Sequence, residues 1–286
     1  MSDAPFLPPS RGVARRLVWR TGSDAAFDDE VAVEEPLEIR VAGDALAVTM
    51  RTPGHDAVLV AGFLFAEGII TSLDDLSSIS PCGRTDDPGY GNTVDALPSP
   101  GIALQLDPAE ARHRGTLMTS ACGVCGRRSI DDLVASCRPI ESPVRISASV
   151  ICEAVVRLRE GQAVFTRTGG THAAALFSVE GTKLAEHEDV GRHNAVDKVV
   201  GAMLYAKQLG ARVDASLPAP VLLAVSGRAS FEVVQKAAVA RIPVVASVSA
   251  PSSLAIDLAE EVGIALAGFV RGEGFNVYSH PERFTE

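Results

Sequence analysis

Two periodicities divide the work along this chain. Apolar and polar residues alternate through Leu37-Glu38-Ile39-Arg40-Val41 and again through Ala45-Leu46-Ala47-Val48-Thr49-Met50 about a Gly43-Asp44 turn, which predicts a hairpin with one packed face and one wet face. Leu17-Val18-Trp19 is a short strand candidate ahead of it. The alternation breaks at Thr52-Pro53-Gly54-His55-Asp56, and Ala57 to Ala66 is almost wholly apolar, which predicts a buried helix closed by Gly68. From Cys82 to Gly101 the chain is rich in Gly, Pro and Asp and reads as surface loop with one strand around Thr93 to Leu97. Ile102 to Leu106 reads as a strand, Asp107-Pro108 as the start of a short helix, and Ser129 to Cys137 as a further helix.

The rhythm then changes. Arg138-Pro139-Ile140-Glu141-Ser142-Pro143 has the composition of a linker, and beyond it Ile151, Val155 and Leu158 recur at helical spacing until Gly161. Strand segments are expected at Ala163 to Phe165, Leu176 to Val179 and Lys183 to Ala185, followed by a helix capped by Asn194 with the stripe Val196, Val199, Val200, Met203 and Leu204. Val221 to Val225 and Val244 to Val248 are buried strands, each leading through a serine-bearing turn into a helix, and Ile264 to Val270 is the last long strand. Strands alternating with helices in this way predict an α/β chain with a parallel or mixed sheet. The expected organisation is a disordered tail over 1–14, a smaller α+β domain over 15–140, and an α/β domain over 141–286.

Composition narrows the function classes. The chain has 286 residues, 47% of them hydrophobic, with a formal net charge of -10, which argues against general binding to nucleic acid or to a membrane surface. Met1 to Arg16 holds no apolar signal core, and no apolar run approaches the ~18 residues of a membrane span. Five cysteines, an odd number, suit a reducing compartment, so a cytoplasmic protein is expected.

The candidate chemistry is concentrated in Ser120-Ala121-Cys122-Gly123-Val124-Cys125-Gly126-Arg127-Arg128, where two thiols sit three positions apart on a glycine-rich loop beside two guanidinium groups and ahead of a helix start at Ser129. Positive charge and a helix N-terminus both favour a thiolate. Four readings stay open on the residues alone: half of a zinc site, a redox dithiol, a persulfide carrier, and a loop with two inert thiols. Zinc lacks a second close-spaced pair, since Cys82, Cys137 and Cys152 stand apart. Three turns follow strand ends, where α/β sheets bind ligands: Ser226 to Ser230, Ser249 to Ser253, and Arg271 to Gly274. The first two suit phosphate, with Arg228 adding donors, or are ordinary helix caps. His172 and the Glu186 to Asn194 segment form a polar cluster that fits either metal or structural hydrogen bonding, and His172 lacks the following glutamate of a zinc deaminase.

The combination of Ser120 to Gly126, Thr168-Gly169-Gly170-Thr171-His172-Ala173-Ala174-Ala175, Glu188-Asp189-Val190-Gly191-Arg192-His193-Asn194-Ala195-Val196-Asp197-Lys198, and Ser226-Gly227-Arg228-Ala229-Ser230 resembles the FdhD family of formate dehydrogenase accessory sulfurtransferases. Gly62 to Ile70 and the ending Val277 to Arg283 carry the same likeness, which runs from about Glu38 to the C-terminus. The resemblance implies a C-terminal domain similar to the cytidine-deaminase fold without its zinc, a homodimer, and a sulfur carrier. Its sulfur would come from a cysteine desulfurase and go to the molybdenum or tungsten bis-guanine-dinucleotide cofactor of formate dehydrogenase. It further implies that Cys122 bears the persulfide with Cys125 as its partner, and that Phe269-Val270-Arg271-Gly272-Glu273-Gly274 binds the cofactor together with Ser226, Gly227 and Arg228. Relatives often carry Pro-Gly and a further basic residue where Glu273 and Gly274 stand here. The alternative from another class is a chaperone that holds and inserts the cofactor without transferring sulfur, and a third is a zinc-dependent deaminase or hydrolase on the similar fold.

Overall fold

The alternating segment forms the expected hairpin. In the computed structural model, which describes residues 12–22, 25–86, 89–104, 137–211 and 213–286, strands β3 (Glu35–Val41) and β4 (Asp44–Arg51) pair antiparallel. They turn through Ala42 and Gly43, both at positive φ (52° and 87°), the backbone of a tight two-residue hairpin turn. Leu37, Ile39 and Val41 face the core while Glu38 and Arg40 face outward. Strand β6 (Thr93–Pro98) runs parallel beside β3, and β5 (Leu76–Pro81) closes a four-stranded sheet of order β4-β3-β6-β5. Ahead of it, β1 (Val13–Trp19) and β2 (Ala26–Ala32) make a separate hairpin. Ile102 to Leu104 are not a strand: Ile102 N–H closes a turn onto the Ser99 carbonyl. The rest of that segment and the helices expected from Asp107 and Ser129 lie outside the described residues.

The second sheet has six strands in the order β13-β12-β11-β10-β8-β9. Its centre is parallel, β10 (Leu222–Val225), β11 (Val244–Ser247) and β12 (Ala265–Arg271), and it is flanked by antiparallel β8 (His172–Phe177) with β9 (Lys183–Asp189) on one side and β13 (Gly274–Ser279) on the other. A small parallel ladder joins β7 (Ile146–Ser147) to β14 (Phe284–Thr285). Helix α2 (Ala148–Glu160) lays Ile151, Ala154, Val155 and Leu158 against one face of the large sheet. Helices α4 (Arg192–Tyr205), α5 (Phe231–Val239) and α6 (Ser253–Val262) cover the other. Burial on both faces explains why β10 to β12 read as unbroken apolar runs.

Two local expectations are corrected. Ala163 to Phe165 belong to a short helix, α3 (Ala163–Thr168), not a strand. The carboxylate of Glu188, on β9, accepts from the N–H groups of Val164 and Phe165 at 2.8 Å each, so a residue far along the chain caps this helix. Asn194 is not the cap of α4, which starts at Arg192 behind Gly191. Its amide instead reaches back to the Met50 carbonyl (2.7 Å) and Asp189 (3.1 Å).

The apolar helix α1 (Asp56–Ala66) lies between the four-stranded sheet and α4. Its backbone touches that of α4: a Cβ built on Gly62 would sit 1.9 Å from the Asp197 carbonyl oxygen, and one on Gly201 would sit 1.9 Å from that of Val58. Through this crossing one apolar core continues from Leu37 and Ile39 to Leu223 and Leu266. No helix among the described residues is long and apolar enough to cross a membrane. In a free helix, glycine to alanine adds about 1 kcal/mol of stability. Here Gly201→Ala is expected to cost about 2 kcal/mol or more and to lower the melting temperature by at least ~4 °C, because two backbones must part. A thermal melt with unchanged or raised midpoint would show the crossing to be looser than described.

Candidate functional site

The carboxyl ends of the three parallel strands carry turns that are bonded to one another. Ser226 exchanges two hydrogen bonds with Ala173: its N–H donates to the Ala173 carbonyl (3.0 Å), and its Oγ accepts the Ala173 N–H (2.8 Å). The Ser247 hydroxyl donates to the Gly227 carbonyl at 2.7 Å, the Ser252 N–H to the Ala229 carbonyl at 3.0 Å, and the Phe269 N–H to the Ser249 carbonyl at 3.1 Å. Ser226, Gly227, Arg228 and the start of the Phe269 to Gly274 stretch are therefore held side by side along one edge. Ser252 behaves as an ordinary cap, accepting from the Ala255 N–H of α6. Ser230 does not cap α5, and its hydroxyl bonds His193 Nε2 at 3.1 Å.

Within Phe269 to Gly274 the residues separate by environment. Phe269 is 39% exposed and sits at φ 54°, a backbone state that non-glycine residues seldom hold, next to a register break in the β12-β13 ladder. Val270 is buried in the core on the α2 side. Arg271 is exposed and pairs with Gly274 across a tight turn made of Gly272 and Glu273.

Charge at this edge is unusual. A Cβ on Gly227 would lie 3.2 Å from His172 Nδ1 and 3.9 Å from the Arg192 Cβ, so the three residues are in contact. Burial, and then the positive charge of Arg192, hold the His172 imidazole below its ordinary value, with Arg228 adding to the effect. Arg192 is the first residue of α4, where a cation opposes the helix dipole, and its buried Nε has no protein partner. Among the described residues neither Arg192 nor Arg228 has an ion pair or side-chain hydrogen bond to protein. Arg51 pairs with Asp56 at 2.9 Å, Lys198 with Asp189 at 2.7 Å and Lys236 with Asp197 at 2.6 Å, whereas buried Arg283 meets only the carbonyls of Ser142 and Ile140; Arg192 is half-buried and Arg228 exposed. Both guanidinium groups act electrostatically on His172 and are the donors at this edge able to meet an anion.

The model of the FdhD/NarQ family matches residues 32–285. The chain belongs to this family. It is 53% identical over 275 residues to a protein of Anaeromyxobacter dehalogenans named sulfur carrier protein FdhD, covering 96% of this chain and 94% of that one. It is 48% identical to the protein of the same name from Nocardia farcinica (96% and 95% covered), and 47% to that of Mycobacterium tuberculosis (95% and 98%). Among solved structures it is similar in fold to one described as a formate dehydrogenase accessory protein from Desulfotalea psychrophila, with a TM-score of 0.70, 24% identity, and coverage of 96% and 98%.

The thiols that drew attention to this FdhD/NarQ chain, Cys122 and Cys125, lie outside the described residues. Of the other cysteines, Cys137 is buried and Cys152 lies in α2 as expected. Burial, with the Glu273 carboxylate second, pushes the Cys152 thiol up, which disfavours a thiolate there.

The Glu188 to Lys198 segment is mostly skeleton. Asp189, 0% exposed, pairs with Lys198 and accepts from the N–H of Thr52 (3.1 Å) and of Gly191 (2.8 Å), while Lys198 also donates to the Thr52 carbonyl (3.0 Å). His193 pairs with Glu232 on α5. This network sets the start of α4 and so aims Arg192. The local signal that singles out Arg192 is its place in the first turn of a helix, where a cation opposes the dipole. Behind the network the rings of His55 and His187 lie 4.6 Å apart, and burial, with His55 and Lys198, pushes His187 down to about 3. A histidine depressed in the fold adds no pH dependence above its unfolded value of about 6.5, and costs stability progressively as pH falls from there towards about 3. Denaturant titrations of wild type and His187→Gln should therefore diverge below pH 6.5, with the wild type losing stability more steeply; parallel curves would count against a neutral buried His187.

Proposed function

We propose that this chain is a sulfur carrier that serves formate dehydrogenase. Sulfur passes from a cysteine desulfurase through a Cys122 persulfide to a molybdenum bis-guanine-dinucleotide cofactor held at the carboxyl ends of β10 to β12. The observation that carries the reading is near-full-length similarity, at 53% identity, to a protein named as a sulfur carrier. The Cys122-x-x-Cys125 loop beside Arg127 and Arg128 supplies the chemistry, and the unmatched Arg192 and Arg228 supply a seat for a pyrophosphate. The cofactor is cargo here, and its metal is substrate.

The chemistry balances with thiols alone. The Cys122 thiolate attacks the outer sulfur of the donor's persulfide, an S–S bond forms to Cys122, and the donor leaves as a thiolate. Attack by Cys125 on the Cys122 sulfur then releases hydrosulfide for the metal and leaves a Cys122–Cys125 disulfide, which a cellular dithiol must reduce before the next cycle. Work in the cytoplasm, as a homodimer with a cytidine-deaminase-like C-terminal domain, completes the proposal; the large sheet, built wholly from residues after 170, supports that division.

The test is to incubate reduced protein with a cysteine desulfurase and L-cysteine and to map mass gains by peptide. A dithiothreitol-labile gain of one sulfur at Cys122, lost in Cys122→Ala, is expected. No gain, in a protein that still binds guanine nucleotide, would favour the chaperone that only holds the cofactor.

A further inference from the structure

The hairpin of β1 and β2 stands apart from both larger sheets, and among the described residues β1 has no hydrogen-bonded strand neighbour besides β2. Their ladder is regular, from Val13 opposite Ala32 to Trp19 opposite Ala26, with no bulge and no proline in β1. The hairpin is fixed to the rest of the chain through β2. The Glu30 carboxylate accepts from Arg167 Nε at 2.8 Å and Nη2 at 2.7 Å, and a Cβ on Gly170 would lie 3.0 Å from that of Ala32. The outer edge of β1 therefore presents a row of backbone groups that no other strand meets. Alternation puts Leu17 and Trp19 on the face from which Glu30 reaches α3, yet they are 59% and 70% exposed. Free edges of this kind are ordinarily blunted by bulges, prolines or charge, because they template pairing with another chain. Here only charge is used, and on β1 and the residue after it that charge has one sign: Arg15, Arg16 and Arg20. Arg16 donates to the Arg15 carbonyl at 2.8 Å, and Arg20 lies 5.2 Å from the centre of the Phe27 ring. The carboxylate opposite Arg15 is taken by Arg167, and neither Arg15 nor Arg16 is in an ion pair among the described residues.

We infer that the outer edge of β1 is a strand-addition site for an extended segment of formate dehydrogenase in which acidic and apolar residues are interleaved. The composition that β1 accepts is already visible on its inner edge, where Phe27 and Val31 flank Asp28, Asp29 and Glu30. Backbone bonds along an added strand supply affinity, and side chains select it: carboxylates against Arg15 and Arg16, apolar groups against Leu17 and Trp19. A second copy pairing through the same edge would set the three arginines of one chain against those of the other, which like-charge repulsion opposes. A nucleic acid or an anionic membrane could neutralise the arginines but could not satisfy a row of strand N–H and C=O groups, and the net charge of -10 opposes both. The place of the hairpin selects the receiving enzyme. Gly170, against which Ala32 lies, is followed by Thr171 and His172, and His172 touches Gly227 at the carboxyl-end edge of the large sheet. A protein held on β1 is thus brought to the side of the molecule where the proposed function holds the cofactor. The inference rests on that reading for its choice of partner, and it gives a role to a hairpin that the reading leaves unused.

Biolayer interferometry of the full-length protein on immobilised, sulfur-free formate dehydrogenase tests it, together with hydrogen exchange of the free protein and of the complex. Amides within Val13–Trp19 should gain protection in the complex. Arg15→Glu/Arg16→Glu and Trp19→Ala should each weaken binding tenfold or more, and the charge reversal should also flatten its dependence on salt. These side chains are exposed, so both variants should melt like wild type. No added protection in β1, or wild-type affinity in both variants, overturns the inference, as does absence of binding by the wild type. Loss of self-association in Trp19→Ala with enzyme binding intact would give the face to a second copy and overturn it equally. Persulfide loading of Cys122, measured on wild type in parallel, separates the two levels: sulfur on Cys122 without binding through β1 removes the docking site and leaves the carrier, and absence of both removes both.

Discussion

The contact between the backbones of α1 and α4 at Gly62 and Gly201 is the constraint on which the architecture depends. A single methyl on either glycine would overlap a carbonyl oxygen of the other helix, so the two helices can lie this close only with hydrogen at both positions. Helix α1 is apolar on all sides because it is covered on all sides, by the small sheet and by α4. Helix α4 in turn rests on the large sheet. The two halves of the chain thus share a core, and the position of α4 is set from both.

That position has a chemical consequence. The first turn of α4 is fixed by Asp189, Lys198, Thr52 and Asn194, all bonded to one another or to backbone, so Arg192 is presented at a defined place beside His172 and Gly227. Arg51, Lys198 and Lys236 give their charge to carboxylates in the interior. Arg192 and Arg228 keep theirs available, in a protein whose net charge is -10. Under the proposed function, a local cationic pair on an acidic chain would favour an anion that brings its own shape over any polyanion.

Much of this was legible in the residue pattern. The hairpin about Gly43, the buried helix before Gly68, the α2 stripe ending at Gly161, and the strands at Val221 and Val244 were readable because each is decided within a dozen residues by alternation, spacing or a glycine stop. Local pattern failed where a distant residue decides. Ala163 to Thr168 is helical because Glu188, more than twenty positions later, caps it, and the hydroxyls of Thr166 and Thr168 bond back to Gln162 and Val164. Asn194 looks like a cap, but its amide serves Met50 across the fold. The site was half legible: Ser226 to Arg228 follow a strand end, where ligands gather, whereas the unmatched state of Arg192 exists only once the surrounding partners are placed. Nothing local marks Val270 as buried beside an exposed Phe269; the positive φ of Phe269 at the register break separates them.

The central claim is that sulfur acceptance at Cys122 and anion binding at Arg192 and Arg228 are separate functions joined in one delivery. A single-turnover assay addresses it: protein loaded with persulfide is mixed with sulfur-free formate dehydrogenase, and the recovered activity is followed for wild type and for Arg192→Ala/Arg228→Ala. The account predicts that the variant carries the same persulfide as wild type and activates the enzyme at least tenfold more slowly. Equal activation by both proteins would contradict it.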